Sequence, residues 1–261
     1  MTILKQSLET VAKEGLYQLD DQFVLPQAEA MFGGYVMALA YRVASKHAIF
    51  EHPLHQSCHF MGPLKHNEPI YISVETLKSS SRFHILDVVF SGKRPLFRAT
   101  YTFAKKRDSS YFCIKKKWPK LVPIQECVPF IHPKSEKKHF FNTFNFLLEP
   151  SCKDFMYKTK NKMQVSGYFV APKGDIFSLL DIPFLCDAIP PVPHFKYGAK
   201  IGWMPSLNLD LQFRAPVNET VIKCVVETKY ISSGVAQEDC LLISEDDKLL
   251  ALSRQMMMMP S

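Results

Sequence analysis

FGGYVMALAYRVASKHAIF, residues 32–50, is followed by four runs that read as strands: HQSCHFM (55–61), PIYISVETL (69–77), RFHILDVVF (82–90) and PLFRATYTFAK (95–105). The first stretch decides the fold. From Tyr35 to Phe50 it is apolar on most faces, with Ala38, Ala40 and Ala44 among the large residues. A helix of that kind is buried, and at about 24 Å it is too short to span a membrane. Gly33-Gly34 at its start implies close approach of the backbone to a sheet or a ligand. The breaks at Ser79-Ser80-Ser81 and Ser91-Gly92-Lys93 read as hairpin turns. One buried helix followed by an antiparallel meander is an α+β unit with the sheet wrapped on the helix. Upstream, Ser7–Gly15 reads as a helix and Leu16–Val24 as a strand.

The second half repeats this order. His139–Leu148 and Met163–Val170 read as strands, and Asp175–Ala188 as a second helix with Asp175 as N-cap, interrupted at Pro183. Trp203–Arg214, Thr220–Tyr230, Gly234–Ser244 and Lys248–Met257 complete a second meander. Val74-Glu75-Thr76 recurs as Val226-Glu227-Thr228, and at the same spacing Ala99 falls on Ala251. Phe60-Met61-Gly62-Pro63 is matched by Phe213-Arg214-Ala215-Pro216. Internal repetition on this scale means two copies of one unit. The expected division is an N-terminal unit over 1–105, a Pro- and Lys-rich linker over 106–136, and a C-terminal unit over 137–261.

Composition is that of a globular protein, with 47% hydrophobic and 22% charged residues. The net charge of +7 is concentrated in residues 105–162, where 14 basic residues face 5 acidic ones. That segment reads as a solvated linker or as a surface for phosphates. Zinc, RNP and basic-helix motifs are absent, which argues against nucleic acid. The seven cysteines form no C-x-x-C pair, so buried thiols in a reducing compartment are expected, with no metal site. No apolar run is long enough for a membrane span. Residues 1–15 lack the basic and apolar regions of a secretory leader, and the last residues are not Ser-Lys-Leu. A cytoplasmic location is expected, with the peroxisome left open.

From Ser206 to Phe213 polar and apolar residues alternate, which puts Ser206, Asn208, Asp210 and Gln212 on one face of a strand. A carboxylate, Asp187, stands a short connection upstream, at the end of a helix-like segment before Pro190-Pro191. A carboxylate can take a proton from water, while hydroxyl and carboxamide groups can both donate and accept. G-x-S-x-G, H-E-x-x-H, P-loop, G-x-G-x-x-G and D-x-N-P-x-H patterns are absent.

The chain resembles the acyl-CoA thioesterase II family, whose members are double hotdogs. MFGGYVMALAYRVA is similar to that family's F-G-G-x-V-x-x-x-A-x-x-A-A helix, and PIYISVETL to its P-I-x-Y-x-V-E strand. FLCDAIPP, WMPSLNLDLQFRAP and DDKLLALSRQ are similar to its Asp-bearing helix, its S/T-L-x-x-x-x-x-F-x-x-P strand and its closing D-G-x-L-V-A-x-x-x-Q strand. The resemblance implies an α+β double hotdog with two long buried helices, each wrapped by an antiparallel sheet. It implies hydrolysis of an acyl-CoA to a fatty acid and coenzyme A, without a cofactor. The water would be activated by Asp187 and oriented by Ser206 and Gln255. Gly33, Gly34, His55, Ser57 and His59 are the expected substrate-binding residues. Where the family has a His in the first half's strand, this chain has Ser57, flanked on the same face by His55 and His59. The family's R-D-G-R-S-F turn is replaced by Lys78-Ser79-Ser80-Ser81-Arg82-Phe83, and its A-R-G turn by Ser233-Gly234-Val235. Two rivals stand beside this reading: a non-catalytic acyl or acyl-CoA binding protein on the same fold, and a hotdog hydratase or dehydratase. A homo-oligomer through the hotdog sheets is an open expectation. One site per chain is expected, because by repeat spacing Gln255 falls on Phe103 and Ser206 on Pro53.

Overall fold

Ten of the fifteen residues of the helix at Gly33–His47 are buried, so it can only lie with protein on most sides. In the computed structural model, which describes residues 3–8, 16–25, 28–106, 117–130, 145–153, 163–198 and 201–260, a sheet supplies that surrounding. The chain opens with α1 (Ile3–Ser7) and the short strands β1 (Leu16–Tyr17), β2 (Val24–Leu25) and β3 (Ala30–Met31). The buried helix is α2, followed by β4 (His52–Phe60), β5 (Ile70–Ser79), β6 (Phe83–Ser91) and β7 (Pro95–Ala104). Then come β8 (Val128–Pro129), β9 (Asn145–Leu148), β10 (Gln164–Val170), and the single-turn helices α3 (Ile182–Leu185) and α4 (His194–Tyr197). The chain closes with β11 (Ser206–Phe213), β12 (Val221–Ser232), β13 (Val235–Ser244) and β14 (Leu249–Met258).

Twelve of these strands form one antiparallel sheet in the order β1-β5-β6-β7-β4-β11-β14-β13-β12-β10-β9-β8. β4 and β11 meet at its centre, from Asn208 opposite His59 to Gln212 opposite His55. On either side the order is mirrored, β7-β6-β5 against β14-β13-β12, so the two repeats are visible in the topology itself. The irregularities repeat as well. β4 has a bulge at Leu54 where it pairs with β7, and β11 has one at Leu207 where it pairs with β14. β5 and β12 each have one, at Leu77 and Lys229.

Reading the ladders across both units fixes which residues are equivalent. Gln56 pairs with Tyr101 in the first unit, and Leu209 with Gln255 in the second. The equivalent of Gln255 is therefore Tyr101, not Phe103, and that of Ala251 is Phe97, not Ala99. The last strand has gained two residues relative to the repeat spacing of β5 and β12. Ser206 does fall on Pro53, since both stand just before their bulge.

Two sequence expectations for helices are corrected. Among the described residues only α2 is longer than two turns; Asp175–Ala188 is not a long helix. Phe177 forms a β-bridge with Glu219, which holds the segment's start extended. The Asp175 carboxylate accepts from the adjacent Ile176 amide, in a segment that is not helical. The turn begins at Ser178 instead, where the Asp181 carboxylate accepts from the Ser178 amide (2.8 Å) and hydroxyl (2.9 Å), and the Asp181 amide donates to the Ser178 carbonyl (3.0 Å). Pro183 fits because a first turn needs no N–H there, and Pro190-Pro191 prevent extension. Near the N-terminus, Ser7 closes α1, and residues 9–15 of the expected helix lie outside the described residues. Leu16–Val24 is not one strand. Asp20 accepts from the Gln22 amide and starts a 3-10 turn, Asp21–Phe23. Much of the basic segment 105–162 also lies outside the described residues.

The main core cluster includes α2, α3 and the inner faces of both halves of the sheet, and Met204, Ala236 and Met257 form a small second cluster. Phe32 and Phe184 meet edge to face at 5.0 Å, which locks the start of α2 against α3. Among the described residues, no helix is long and apolar enough to cross a membrane.

Candidate active site

The alternation in SLNLDLQF does not decide where Ser206 points; the bulge does. Asn208 pairs with Met256, which is exposed, and Asp210 with Arg254. Ser206 pairs with the buried Met257, because Leu207 is the extra residue between them. A bulge of this kind inserts one residue and so moves everything beyond it to the opposite face. Ser206 thereby leaves the face of Asn208, Asp210 and Gln212 and joins the inner one, which corrects the four-residue face read from the sequence. Its hydroxyl donates to the Gln255 side-chain oxygen at 3.1 Å.

Gln255 is 4% exposed, and its amide nitrogen donates to Glu238 Oε1 at 3.1 Å. Glu238 is directly opposite Gln255 on β13, and Thr228 is opposite Glu238 on β12. The other oxygen of Glu238 accepts from the Val192 amide (2.8 Å) and the Thr228 hydroxyl (3.2 Å). Thr228, Glu238, Gln255 and Ser206 thus form a hydrogen-bonded polar row across the inner face.

Asp187 arrives from the other side, one residue beyond the C-cap of α3. Gly33 and Gly34 make its place. A β-carbon on Gly33 would sit 2.8 Å from Asp187 Oδ2, and one on Gly34 would sit 2.9 Å from the Phe184 carbonyl oxygen. α2 has no side-chain cap of its own; the Gly34 amide near the Asp187 carboxylate favours its charged form. The position also faces the positive end of the α2 dipole. Burial nevertheless dominates, pushing the Asp187 carboxyl up to about 7, with the nearby charge of Glu238 acting in the same direction. Burial likewise pushes Glu238 up to about 7, against the lowering by Val192, Gln255 and Thr228. As whole residues, Asp187 is intermediate in exposure and Glu238 is 2% exposed.

The expected residues divide into two sets. Ser206 and Gln255 are in direct contact, Asp187 stands within the field of the same row, and Gly33 and Gly34 line the Asp187 position. His55, Ser57 and His59 lie elsewhere, on the outer face of β4 beside Asp210 and Asn208. His55 Nε2 is 3.9 Å from Asp210 Oδ1, both side chains being open to solvent. Sequence reasoning missed Glu238. Its signal was the repeat: the ladder equivalent of Glu238 is Leu86, a buried apolar position in the first unit. No group of residues that could hold a metal occurs among the described residues.

A twelve-stranded antiparallel sheet closed on one long helix is the hotdog architecture, and solved structures agree. A protein of Thermobifida fusca described as a thioesterase II superposes with a TM-score of 0.85 at 22% identity, covering 100% of this chain and 98% of that one. A hot dog fold protein of unknown function from Alicyclobacillus acidocaldarius gives 0.85 at 16% identity, over 100% and 99%. The acyl-CoA thioesterase II TesB2 of Mycobacterium marinum gives 0.74 at 13%, over 98% and 97%. At these identities the likeness is one of fold. No curated protein matches the chain by sequence. The family models go further: residues 24–104 match the acyl-CoA thioesterase N-terminal domain and residues 124–259 the acyl-CoA thioesterase C-terminal domain. The chain belongs to the acyl-CoA thioesterase family, and it is a thioesterase.

Proposed function

We propose that this enzyme hydrolyses the thioester of an acyl-CoA at Asp187, Ser206 and Gln255, releasing the carboxylic acid and coenzyme A. The observation that carries the reading is the meeting of two features. A carboxylate raised toward neutrality sits at the N-terminus of α2, and a buried polar row ends in the Ser206 hydroxyl. Asp187, held near neutrality, takes a proton from water as the water oxygen attacks the thioester carbonyl carbon. The Ser206 hydroxyl hydrogen is engaged by Gln255, so its oxygen is left to accept from the water and aim it. First-turn amides of α2, which have no acceptor within the helix, supply donors for the developing oxyanion. Collapse breaks the carbon–sulfur bond, and the proton on Asp187 passes to the departing thiolate. Each group acts through a hydrogen bond or a proton, so no protein nucleophile is required.

The test is release of free thiol from a panel of short, medium, long and aromatic acyl-CoAs. Wild-type protein should turn over at least one class. Asp187→Asn keeps the shape and removes the base, and should lower turnover by about 10²-fold or more. A folded Asp187→Asn protein with wild-type turnover would remove Asp187 from the mechanism. Binding of acyl-CoA without thiol release would make the protein a carrier.

A further inference from the structure

Glu238 is the most enclosed carboxylate near the site, and the proposed hydrolysis does not use it directly. It is 2% exposed and accepts three hydrogen bonds, from the Gln255 side chain, the Val192 amide and the Thr228 hydroxyl. Each partner lies on a different element: β14, the turn after α3, and β12. An ionised carboxylate only accepts. Facing it, the Gln255 carboxamide has one acceptable orientation, amide nitrogen toward Glu238 and oxygen toward Ser206. The reverse would set two acceptors against each other. The first unit carries Leu86 at the equivalent place and Tyr101 in place of Gln255, so no packing requirement of the repeat calls for a carboxylate there.

We propose that Glu238 is a positioning residue of this site: it fixes the Gln255 carboxamide so that its oxygen meets the Ser206 hydroxyl, and it sets its own negative charge against the Asp187 carboxylate. The role in turnover rests on the proposed hydrolysis. Through Val192 the same carboxylate also anchors the Pro190-Pro191 turn that follows Asp187.

The charges around the pair are few. Asp187 faces the Gly34 amide on α2, Glu238 on β13, and the neutral thiols of Cys58 on β4 and Cys186 beside it. Glu238 faces Asp187, the Cys240 thiol and, along its own strand, Asp239, which is itself paired with Arg254 and Lys229. Three donors favour the charged form of Glu238 against a single amide at Asp187. On this proposal Glu238 loses its proton first as pH rises, and Asp187 ionises beside a charge already present.

Three measurements decide this. In Glu238→Gln, the neutral amide lets Gln255 adopt either orientation. With a responsive acyl-CoA, kcat should fall about tenfold or more while KM stays within about twofold, because the groups that contact substrate remain. The acid limb of kcat/KM should move about one pH unit lower, since Asp187 no longer ionises against a neighbouring charge. A purely structural role predicts lost stability with an unmoved limb. If Glu238→Gln does not fold, Glu238→Leu serves, the first unit showing that this strand accepts leucine. The third measurement needs neither variant nor substrate: a carbon-13 carboxyl titration of the wild-type protein, following Asp187 and Glu238 together. Glu238 ionising first, with Asp187 displaced by it, supports the proposal. Independent single-step titrations, or an unchanged acid limb in a folded Glu238→Gln enzyme, overturn it. Absence of thiol release from every acyl-CoA would instead defeat the hydrolytic reading, while the carbon-13 titration would still report the coupling.

Discussion

At the scale of single residues, the burial of the Asp187 carboxyl places a cost on the fold. In the folded chain its carboxyl holds a proton up to about 7, against 3.8 when unburied. Between those values the folded state keeps a proton that the unfolded chain releases. The associated stability is fully present below the lower value and is lost as pH rises through the upper one. Asp187→Asn carries no charge to bury. We therefore expect it to be more stable than wild type at pH 8, by between about 1 and 4 kcal/mol at 1.36 kcal/mol per pH unit, with the gap closing toward pH 4. Urea melts of both proteins at the two pH values check this; a constant gap would mean that the Asp187 charge is not what costs stability. Asp187, Ser206 and Gln255 were legible because their types and order resemble a family pattern. Glu238 was not. It sits in Gln237-Glu238-Asp239, a polar run whose composition does not single out the middle residue; only the repeat, with Leu86 in the same place, does. The bulge at Lys229 on the partner strand further hides which residues face each other.

At the scale of elements, the contrast lies between α2 and α3. The apolar run over Tyr35–Phe50 made α2 readable, and the structure starts it two residues earlier, at Gly33. The second helix was misread because its start was placed at Asp175 and not at Ser178. A single turn suffices there, since its task is to deliver Asp187 to the start of α2. The two glycines that permit the meeting do different things. A methyl on Gly34 would strike the Phe184 carbonyl and the Phe32 ring at 2.9 Å or less. A methyl on Gly33 would strike the end of the Asp187 side chain at 2.8 Å. Gly34→Ala should therefore lower stability by about 1–3 kcal/mol through overpacking. Gly33→Ala should cost less stability and displace Asp187, lowering kcat more than Gly34→Ala does relative to the fraction folded. Thermal melts and turnover on both variants separate the effects; equal losses of both properties would show that the glycines serve packing alone.

At the scale of the molecule, two units share one sheet and only the second has the Ser206–Gln255–Glu238 hydrogen-bonded row. The positions of Ser206, Glu238 and Gln255 are taken in the first unit by Pro53, Leu86 and Tyr101. Tyr101 is fully buried, with its hydroxyl 3.5 Å from the Met37 carbonyl on α2. Calorimetric titration with a non-hydrolysable acyl-CoA analogue should find one site per chain, weakened in Ser206 and Gln255 variants. Two equivalent sites would mean that the first unit binds by residues outside this equivalence. The repeat was legible from Val-Glu-Thr because β5 and β12 keep their spacing. The exact partner of Gln255 was not, because the added length lies between strands, where sequence offers no register.

The twin bulges at Leu207 and Leu54 separate the shape of a strand from what the strand carries. In the first unit the same irregularity turns inward a proline, a residue with no hydrogen to donate. In the second it turns inward a hydroxyl. The kink belongs to the repeated backbone, and the character of the inward position is decided by a single residue, so exchanging that residue changes the chemistry offered there without asking the strand to change its path.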